Sequence, residues 1–295
     1  MNPSTPPTVG LALGSGSARG WAHIGVIQAL EEIGVRPQVV AGTSIGALVG
    51  GVYVAGQLAE FAEWVRTLTA RDVLGFLDIS LSGGMFKGEK LFGFFEQRHH
   101  NPDIESLEQR FVCVATEMKT GRETWLTRGP LLPATRASCA LPGLFPPVQL
   151  DGRWMLDGGL VNPVPVSACR ALGADVVIAV NLNGQLVGTH VSRSVGGSAE
   201  NAELSWWQRA AGYLTSGEGQ NPSLFDVVAT SVNILQDRLT RSRMAGDPPE
   251  VALVPRLDDY TLMDFHRADQ AIEEGRRVVH ENAARIRGWL GIAAD

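Results

Sequence analysis

The residues of this chain that could do chemistry sit on three glycine-bordered turns. The first, Gly42-Thr43-Ser44-Ile45-Gly46, has the G-x-S-x-G spacing of a nucleophile elbow. Such an elbow turns a strand abruptly into a helix and leaves the serine on a strained, exposed corner. Small residues at Gly42 and Gly46 let the two chains pass closely. Ser44 then stands at a helix N-terminus, where the dipole and free N–H groups favour developing negative charge. The N–H of Ile45 points to the same place. The chemistry this setting serves is nucleophilic attack by a hydroxyl.

The second turn is Gly14-Ser15-Gly16-Ser17-Ala18-Arg19-Gly20. Its glycines let successive N–H groups converge on an anion before a helix. A dinucleotide site fits poorly. The spacing is GxGxxxG, and Glu31 and Glu32 fall in the first helix instead of at the end of the second strand, where a ribose-binding acid belongs. A phosphate-binding Walker loop fails for want of Gly-Lys-Ser/Thr. An oxyanion hole fits better, because parallel neighbouring strands bring both turns to one sheet edge.

The third turn is Asp157-Gly158-Gly159, 113 residues beyond Ser44. Alone it reads as an ordinary turn after a strand. A serine hydrolase needs a base, usually a histidine. Of the histidines, His23 falls in the first helix, His99 and His100 in a polar loop, His190 in a Gly-rich stretch, and His266 and His280 in the last helix. None has a strand-end setting. What remains is a carboxylate in direct hydrogen-bond contact with the serine.

The elements that must carry these turns follow from the pattern. Val9–Leu13 and Val39–Ala41 are short apolar strands, each ending in a glycine turn. Trp21, Ile24, Ile27, Leu30 and Ile33 share a helical face, stopped by Gly34, and Ala47–Ala55 is a small-residue helix. This alternation predicts a mainly parallel sheet flanked by helices, an α/β fold in three layers. Phe111–Thr116 is a central strand, with Arg122–Leu126 its antiparallel partner. Pro133–Leu141 is helical. Arg153–Leu156, Val176–Val180 and Val251–Val254 are strands. Residues 184–221, polar and Gly-rich around Trp206-Trp207, read as a mobile excursion. Residues 264–290 read as an amphipathic helix with Phe265, Ala268, Ile272, Val279, Ala283, Ile286 and Leu290 on one stripe. Glu273–Arg277 and Glu281–Arg285 are i,i+4 pairs on its wet side. No linker or repeat divides the chain, so one domain over residues 8–295 is expected.

Composition bounds the partners. Hydrophobic residues are 44 % and charged residues 19 % of the chain, which excludes a disordered, solvating polymer. A net charge of −6 without a basic cluster leaves no footprint for nucleic acid. Cys113, Cys139 and Cys169 are odd in number and far apart, which speaks for buried thiols rather than disulfides or zinc. Met1–Thr8 lacks the pattern of a signal peptide. The uncharged run 37–59 is interrupted by Pro37, Gln38, Thr43, Ser44 and Gln57 and reads as buried strand, turn and helix. The expectation is a soluble, cytoplasmic protein.

Taken together, the three turns in this order resemble the patatin-like phospholipase family. Further echoes are Gly34, Leu141-Pro142-Gly143-Leu144-Phe145-Pro146-Pro147 and Asn162-Pro163-Val164-Pro165. The likeness runs from Val9 to about Val180. It implies a Ser–Asp dyad without histidine: Ser44 the nucleophile and Asp157 the base. It implies oxyanion donors from Gly16, Ser17 and Ala18 with Ile45, and Gly20, Gly42, Gly46, Gly158 and Gly159 as motif glycines. The family implies hydrolysis of an acyl ester of a phospholipid, a lysophospholipid or a simpler lipid, with no metal and no cofactor. Such a substrate brings transient contact with a membrane surface, peripheral at the inner face. Ser15 and Ser17 interrupt the consecutive glycines common in the family. Arg19 either attracts a substrate phosphate or carboxylate or fixes the loop through a salt bridge. Residues 74–95, rich in Leu and Phe, suggest a cap over an acyl pocket around a flexible Gly83–Gly88. The apolar stripe of the last helix is free either to join a second copy of the chain or to pack on its own sheet. The competing reading is a non-catalytic lipid- or protein-binding regulator on the same fold.

Overall fold

Five successive buried residues in each of β1 (Val9–Leu13), β2 (Val39–Thr43) and β3 (from Phe111 within Arg110–Glu117) mark strands covered on both faces. They belong to a computed structural model that describes residues 6–76, 101–142, 144–184 and 224–292. Among the described residues the remaining strands are β4 (Glu123–Leu126), β5 (Val148–Leu150), β6 (Arg153–Asp157), β7 (Val176–Val180) and β8 (Val251–Leu253). They form one mixed sheet in the order β5-β6-β3-β2-β1-β7-β8, with β4 on the free side of β3. The pairs β3·β2, β2·β1, β1·β7 and β7·β8 are parallel, and β4, β5 and β6 add antiparallel edges.

Helices cover both faces, because the central strands β1, β2, β3 and β7 bury side chains on either side. One face holds α1 (Ala22–Glu32), α2 (Ile45–Val54), α3 (Leu58–Arg66) and, at the far end of the chain, α8 (Ala268–Leu290). The short α4 (Ala70–Phe76) follows α3, and α5 (Leu131–Ser138) packs beside α2. The opposite face is closed by α6 (Val166–Ala171), and Met244 of α7 (Leu224–Gly246) rests on it. Every residue of α2 is buried, so the uncharged run that spans β2 and α2 is core. Among the described residues no helix is long and apolar enough to cross a membrane.

α8 lies against α1 through reciprocal glycines. A Cβ on Gly25 would stand 1.8 Å from the Ile272 carbonyl oxygen, and one on Gly275 would stand 2.0 Å from that of Ala22. Ala271, Ile272, Val278, Val279 and Ile286 are buried at this contact, so the stripe that could have met a second chain is used within this one. Several expectations differ in detail. α8 begins at Ala268, leaving Phe265 in the preceding loop, where its carbonyl accepts from Trp21 Nε1 at 2.9 Å. The expected i,i+4 pairs on α8 are replaced: Arg277 pairs with Glu274 and Glu281, Arg276 with Glu32, and Arg285 bonds the Glu250 carbonyl. The β5–β6 hairpin was not expected, because Val148–Leu150 is too short for its alternation to register. Nor was α7, whose half-exposed surface blurs any clean stripe. The expected excursion at 184–221 and the expected cap at 74–95 lie almost wholly outside the described residues.

Candidate active site

β2 delivers its last residue, Thr43, to the C-terminal edge of the sheet, and the chain reverses at once into α2. Three contacts force that reversal. A Cβ on Gly42 would lie 2.4 Å from the Ala47 Cα, and one on Gly46 would lie 2.1 Å from the Leu13 carbonyl oxygen. Thr43 Oγ1 donates to the Asn162 carbonyl at 2.8 Å, which ties the elbow to the loop after β6. Ser44 is left at φ 57° and ψ −125°, a region unfavourable to any residue with a side chain. That conformation costs on the order of 1–3 kcal/mol and persists only where the surroundings impose it. The Ser44 N–H donates to Ser138 Oγ at 2.9 Å, and Ser138 in turn donates to the Val114 carbonyl at 2.6 Å.

β6 ends on Asp157 beside the elbow. Ser44 Oγ donates to Asp157 Oδ2 at 2.6 Å. The other carboxylate oxygen accepts from the Gly159 N–H at 2.7 Å. The backbone of Asp157 is fixed as well: its N–H donates to the Ala140 carbonyl, and its carbonyl accepts from Thr116 Oγ1 at 2.8 Å. Gly158 permits the approach, since a Cβ there would stand 2.1 Å from the Val114 carbonyl oxygen. The Asp157 carboxyl is fully buried, and desolvation raises its pKa to about 7 against the opposing bonds from Ser44 and Gly159. Such a carboxylate is a stronger base than one in water, and it changes charge near neutral pH.

The oxyanion turn comes from β1, next to β2. The Gly14 N–H donates to the Val180 carbonyl and that of Ser15 to the Pro163 carbonyl. Ser17 adopts φ 51°. Its Oγ donates to the Leu262 carbonyl at 2.6 Å, holding a conformation that glycine would adopt without a side-chain tie. The Gly16 carbonyl accepts from both the backbone N–H and the Nε of Arg19, each at 3.2 Å. Because a trans peptide points its C=O and N–H in opposite directions, the Ser17 N–H is turned away from Arg19. Gly16, Ser17, Ser44 and Ile45 line one pocket. The Ala18 N–H is instead directed at the Leu262 carbonyl, 3.4 Å away, and Ala18 is fully buried. Gly20 backs the arrangement, since a Cβ there would collide with the Ile45 side chain at 2.1 Å.

Arg19 fixes the loop through hydrogen bonds to Gly16 and Asn233 instead of the expected salt bridge. It is 1 % exposed, donates from Nη2 to Asn233 Oδ1 at 3.4 Å, and pairs with no carboxylate among the described residues. Desolvation lowers its pKa to about 10, so it remains cationic and places positive charge behind the turn. Among the described histidines none reaches the pocket. His23 is buried against the Gly14 carbonyl at 2.8 Å, and desolvation lowers its pKa to about 4, so it is a neutral brace of the turn. His266 and His280 are exposed.

The pocket walls are apolar: Leu141, Leu144, Phe145, Val232, Leu262 and Phe265. Two polar side chains, Asn233 and Gln236 of α7, and the buried Cys139 complete it. Desolvation, with the neighbouring Asp157 carboxylate, holds the Cys139 thiol well above its ordinary pKa. Asn233 and Gln236 escaped the sequence reading, for no local motif surrounds them. Among the described residues no group of three or more His, Cys, Asp or Glu side chains could hold a metal ion.

Residues 11–170 match the family model of the patatin-like phospholipases, a span that holds all three turns. An uncharacterized NTE family protein of Mycobacterium tuberculosis is 37 % identical over 92 % of this chain and 90 % of its own length. The similarity therefore continues well beyond Val180, where the sequence motifs stop. Lysophospholipase NTE1 of Pyricularia oryzae is 30 % identical over 95 % of this chain, which spans 19 % of that larger protein. Of solved structures, VipD from Legionella pneumophila matches 97 % of the chain and 79 % of its own, at 13 % identity and a TM-score of 0.47. With a mostly parallel, helix-flanked sheet and a family match over more than half its length, the chain belongs to the patatin-like phospholipase family.

Proposed function

We propose that this protein is a serine acyl-hydrolase acting on acyl esters of phospholipids or lysophospholipids through Ser44 and Asp157. One observation carries the reading: the 2.6 Å hydrogen bond from Ser44 Oγ to a buried Asp157 carboxylate beside an apolar-walled pocket. Ser44 Oγ attacks the ester carbonyl carbon and passes its proton to Asp157 Oδ2. The carbonyl oxygen takes up negative charge facing the N–H groups of Gly16, Ser17 and Ile45, with the Arg19 cation behind them. The carbon–oxygen bond to the leaving alcohol then breaks, and Asp157 returns its proton to that alcohol. Water attacks the acyl-serine, gives a proton to Asp157, and releases the fatty acid as Ser44 regains its hydrogen. An Asp157 pKa near 7 suits a group that must take and return a proton in each half-reaction.

The substrate class is supported by family membership, by the lysophospholipase relatives and by the apolar pocket wall. Such a substrate puts the protein at a membrane surface during turnover. The test is fluorophosphonate labelling with hydrolysis of a p-nitrophenyl ester and of a lysophospholipid. Wild type should label and turn over, Ser44→Ala should do neither, and Asp157→Asn should be crippled. A folded wild type that neither labels nor hydrolyses would leave a binding protein on this fold.

A further inference from the structure

The oxyanion turn is tied to the backbone of Val180, Pro163 and Leu262 and, from far along the sequence, to two side chains of α7. Ser15 Oγ donates to Gln236 Oε1 at 2.9 Å, and Asn183 Nδ2 donates to the same oxygen at 3.1 Å. On its other side the Gln236 amide abuts the dyad loop. A Cβ on Gly159 would stand 2.4 Å from Gln236 Nε2 and 3.0 Å from Asp157 Oδ1. One turn earlier on α7, Asn233 Oδ1 accepts from Arg19, whose Nε holds the Gly16 carbonyl. Residues three apart share a helix face, so Asn233 and Gln236 reach the same pocket together. Gln236 is 5 % exposed. A buried carboxamide costs stability unless it is bonded, so its place here calls for a reason other than packing.

We propose that Gln236, with Asn233, is a positioning residue that clamps the oxyanion turn against the Asp157 loop and so sets the direction of the Gly16 and Ser17 amides. This rests on the hydrolase reading above. Donors for an oxyanion work only when held in place before the charge forms. The turn has few holds of its own. Gly14 and Ser15 are fixed by backbone bonds, but from Gly16 onward the turn depends on Arg19 and on the Leu262 carbonyl. The α7 bonds brace it from the pocket side, and the Gln236 amide lies against the loop that carries the base. Neither Gln236 nor Asn233 falls in the family-model match, which ends at residue 170.

The test compares Gln236→Met, which keeps length and volume but makes no such bonds, with Asn233→Ala and Gln236→Glu. Charged groups that face this region are Arg19, bonded to Asn233, and Asp157, across Gly159 from the Gln236 amide; on α7 itself Asp237 pairs with Arg241, Arg243 pairs with Glu123, and Arg238 lies two residues on. Gln236→Met should lower kcat on a p-nitrophenyl ester and the rate of fluorophosphonate labelling between about 10- and 100-fold, with KM within about twofold. Its melting temperature tells this apart from unfolding. Amide hydrogen exchange across residues 14–21 should quicken, and Asn233→Ala should show the same pattern more weakly. Gln236→Glu adds negative charge near Asp157 and should move the acidic limb of the pH–rate profile upward. An active wild type beside a Gln236→Met variant with unchanged kcat, exchange and pH profile overturns the clamp and leaves the hydrolase. An inactive wild type, with exchange still quickened in Gln236→Met, overturns the hydrolase and keeps only the brace.

Discussion

The elbow at Ser44 and the oxyanion turn at Ser17 face each other across one pocket, yet the balance of what holds them differs. The elbow is set first by close backbone contacts, with the Thr43 hydroxyl on the Asn162 carbonyl and the Ser138 hydroxyl on the Ser44 N–H as added ties. Gly42 meets Ala47 five residues on, and Gly46 meets the neighbouring strand end at Leu13. The oxyanion turn adds to its backbone bonds side-chain bonds across great sequence distances: Ser15 to Gln236, Ser17 to the Leu262 carbonyl, and Arg19 to Asn233, separated by 221, 245 and 214 residues. Both turns hold a serine at positive φ. In the elbow the strain presents the hydroxyl to Asp157, whereas in the oxyanion turn the hydroxyl is used up in holding the strain. A local steric device tolerates almost no substitution. A remote bonded device should loosen by degrees.

The largest effect should come from the elbow. Under the proposed mechanism Ser44→Ala removes the nucleophile and should lower kcat by on the order of 10⁴–10⁶-fold, with loss of fluorophosphonate labelling. Asp157→Asn should cost about 10⁴-fold in the same assay. Next in size, Gly46→Ala puts a methyl 2.1 Å from the Leu13 carbonyl oxygen, a backbone atom that cannot step aside. It should destabilise the fold by roughly 3 kcal/mol or more in denaturant titration. A Gly46→Ala variant as stable as wild type would break the contrast.

The pH dependence sharpens the contrast in another way. In the proposed mechanism Asp157 is a base only when ionised, so kcat/KM should rise with pH to a plateau, with an apparent pKa near 7. Stability should run the other way. The folded pKa lies above the ordinary carboxylate value, so the native state binds more protons than the unfolded chain between about pH 4 and 7. The contribution of Asp157 to stability is therefore greatest below pH 4 and falls as pH rises to 7. Asp157→Asn should flatten that fall in melting temperatures taken across pH 5 to 8. The smallest effect should come from the oxyanion turn. Ser17→Gly relieves a positive φ at the expense of one hydrogen bond, while Ser17→Ala loses the bond and keeps the strain. Ser17→Ala should therefore be the less stable of the two, by about 1 kcal/mol. Equal melting temperatures would show that the Leu262 tie carries no weight.

The same division explains what could be read from the sequence. Both parallel strands with their glycine turns were legible, because a run of apolar residues ending in glycines has few other meanings. Asp157 was the marginal case. Alone, Asp-Gly-Gly reads as an ordinary turn, and it gained meaning only from the order of all three motifs. Arg19 was visible but its role was not, since burial behind the turn leaves no trace in the neighbouring residue types. α7 was missed altogether. Its polar contact face and its exposed apolar residues Ile234 and Leu235 do not form the usual amphipathic stripe.

By itself the sequence determined the local geometry: where the chain must turn sharply, which residue stands at the corner, and that glycine must flank it. These follow from steric limits acting within a few residues of each other. Only the tertiary structure decided that the Asp157 carboxylate stands 2.6 Å from Ser44 Oγ, that its burial carries its pKa to about 7, and that Gln236 and Asn233 reach the oxyanion turn. Desolvation and hydrogen-bond partners depend on what the rest of the chain packs around a group, and residues 221 apart leave no periodic or local signal of meeting.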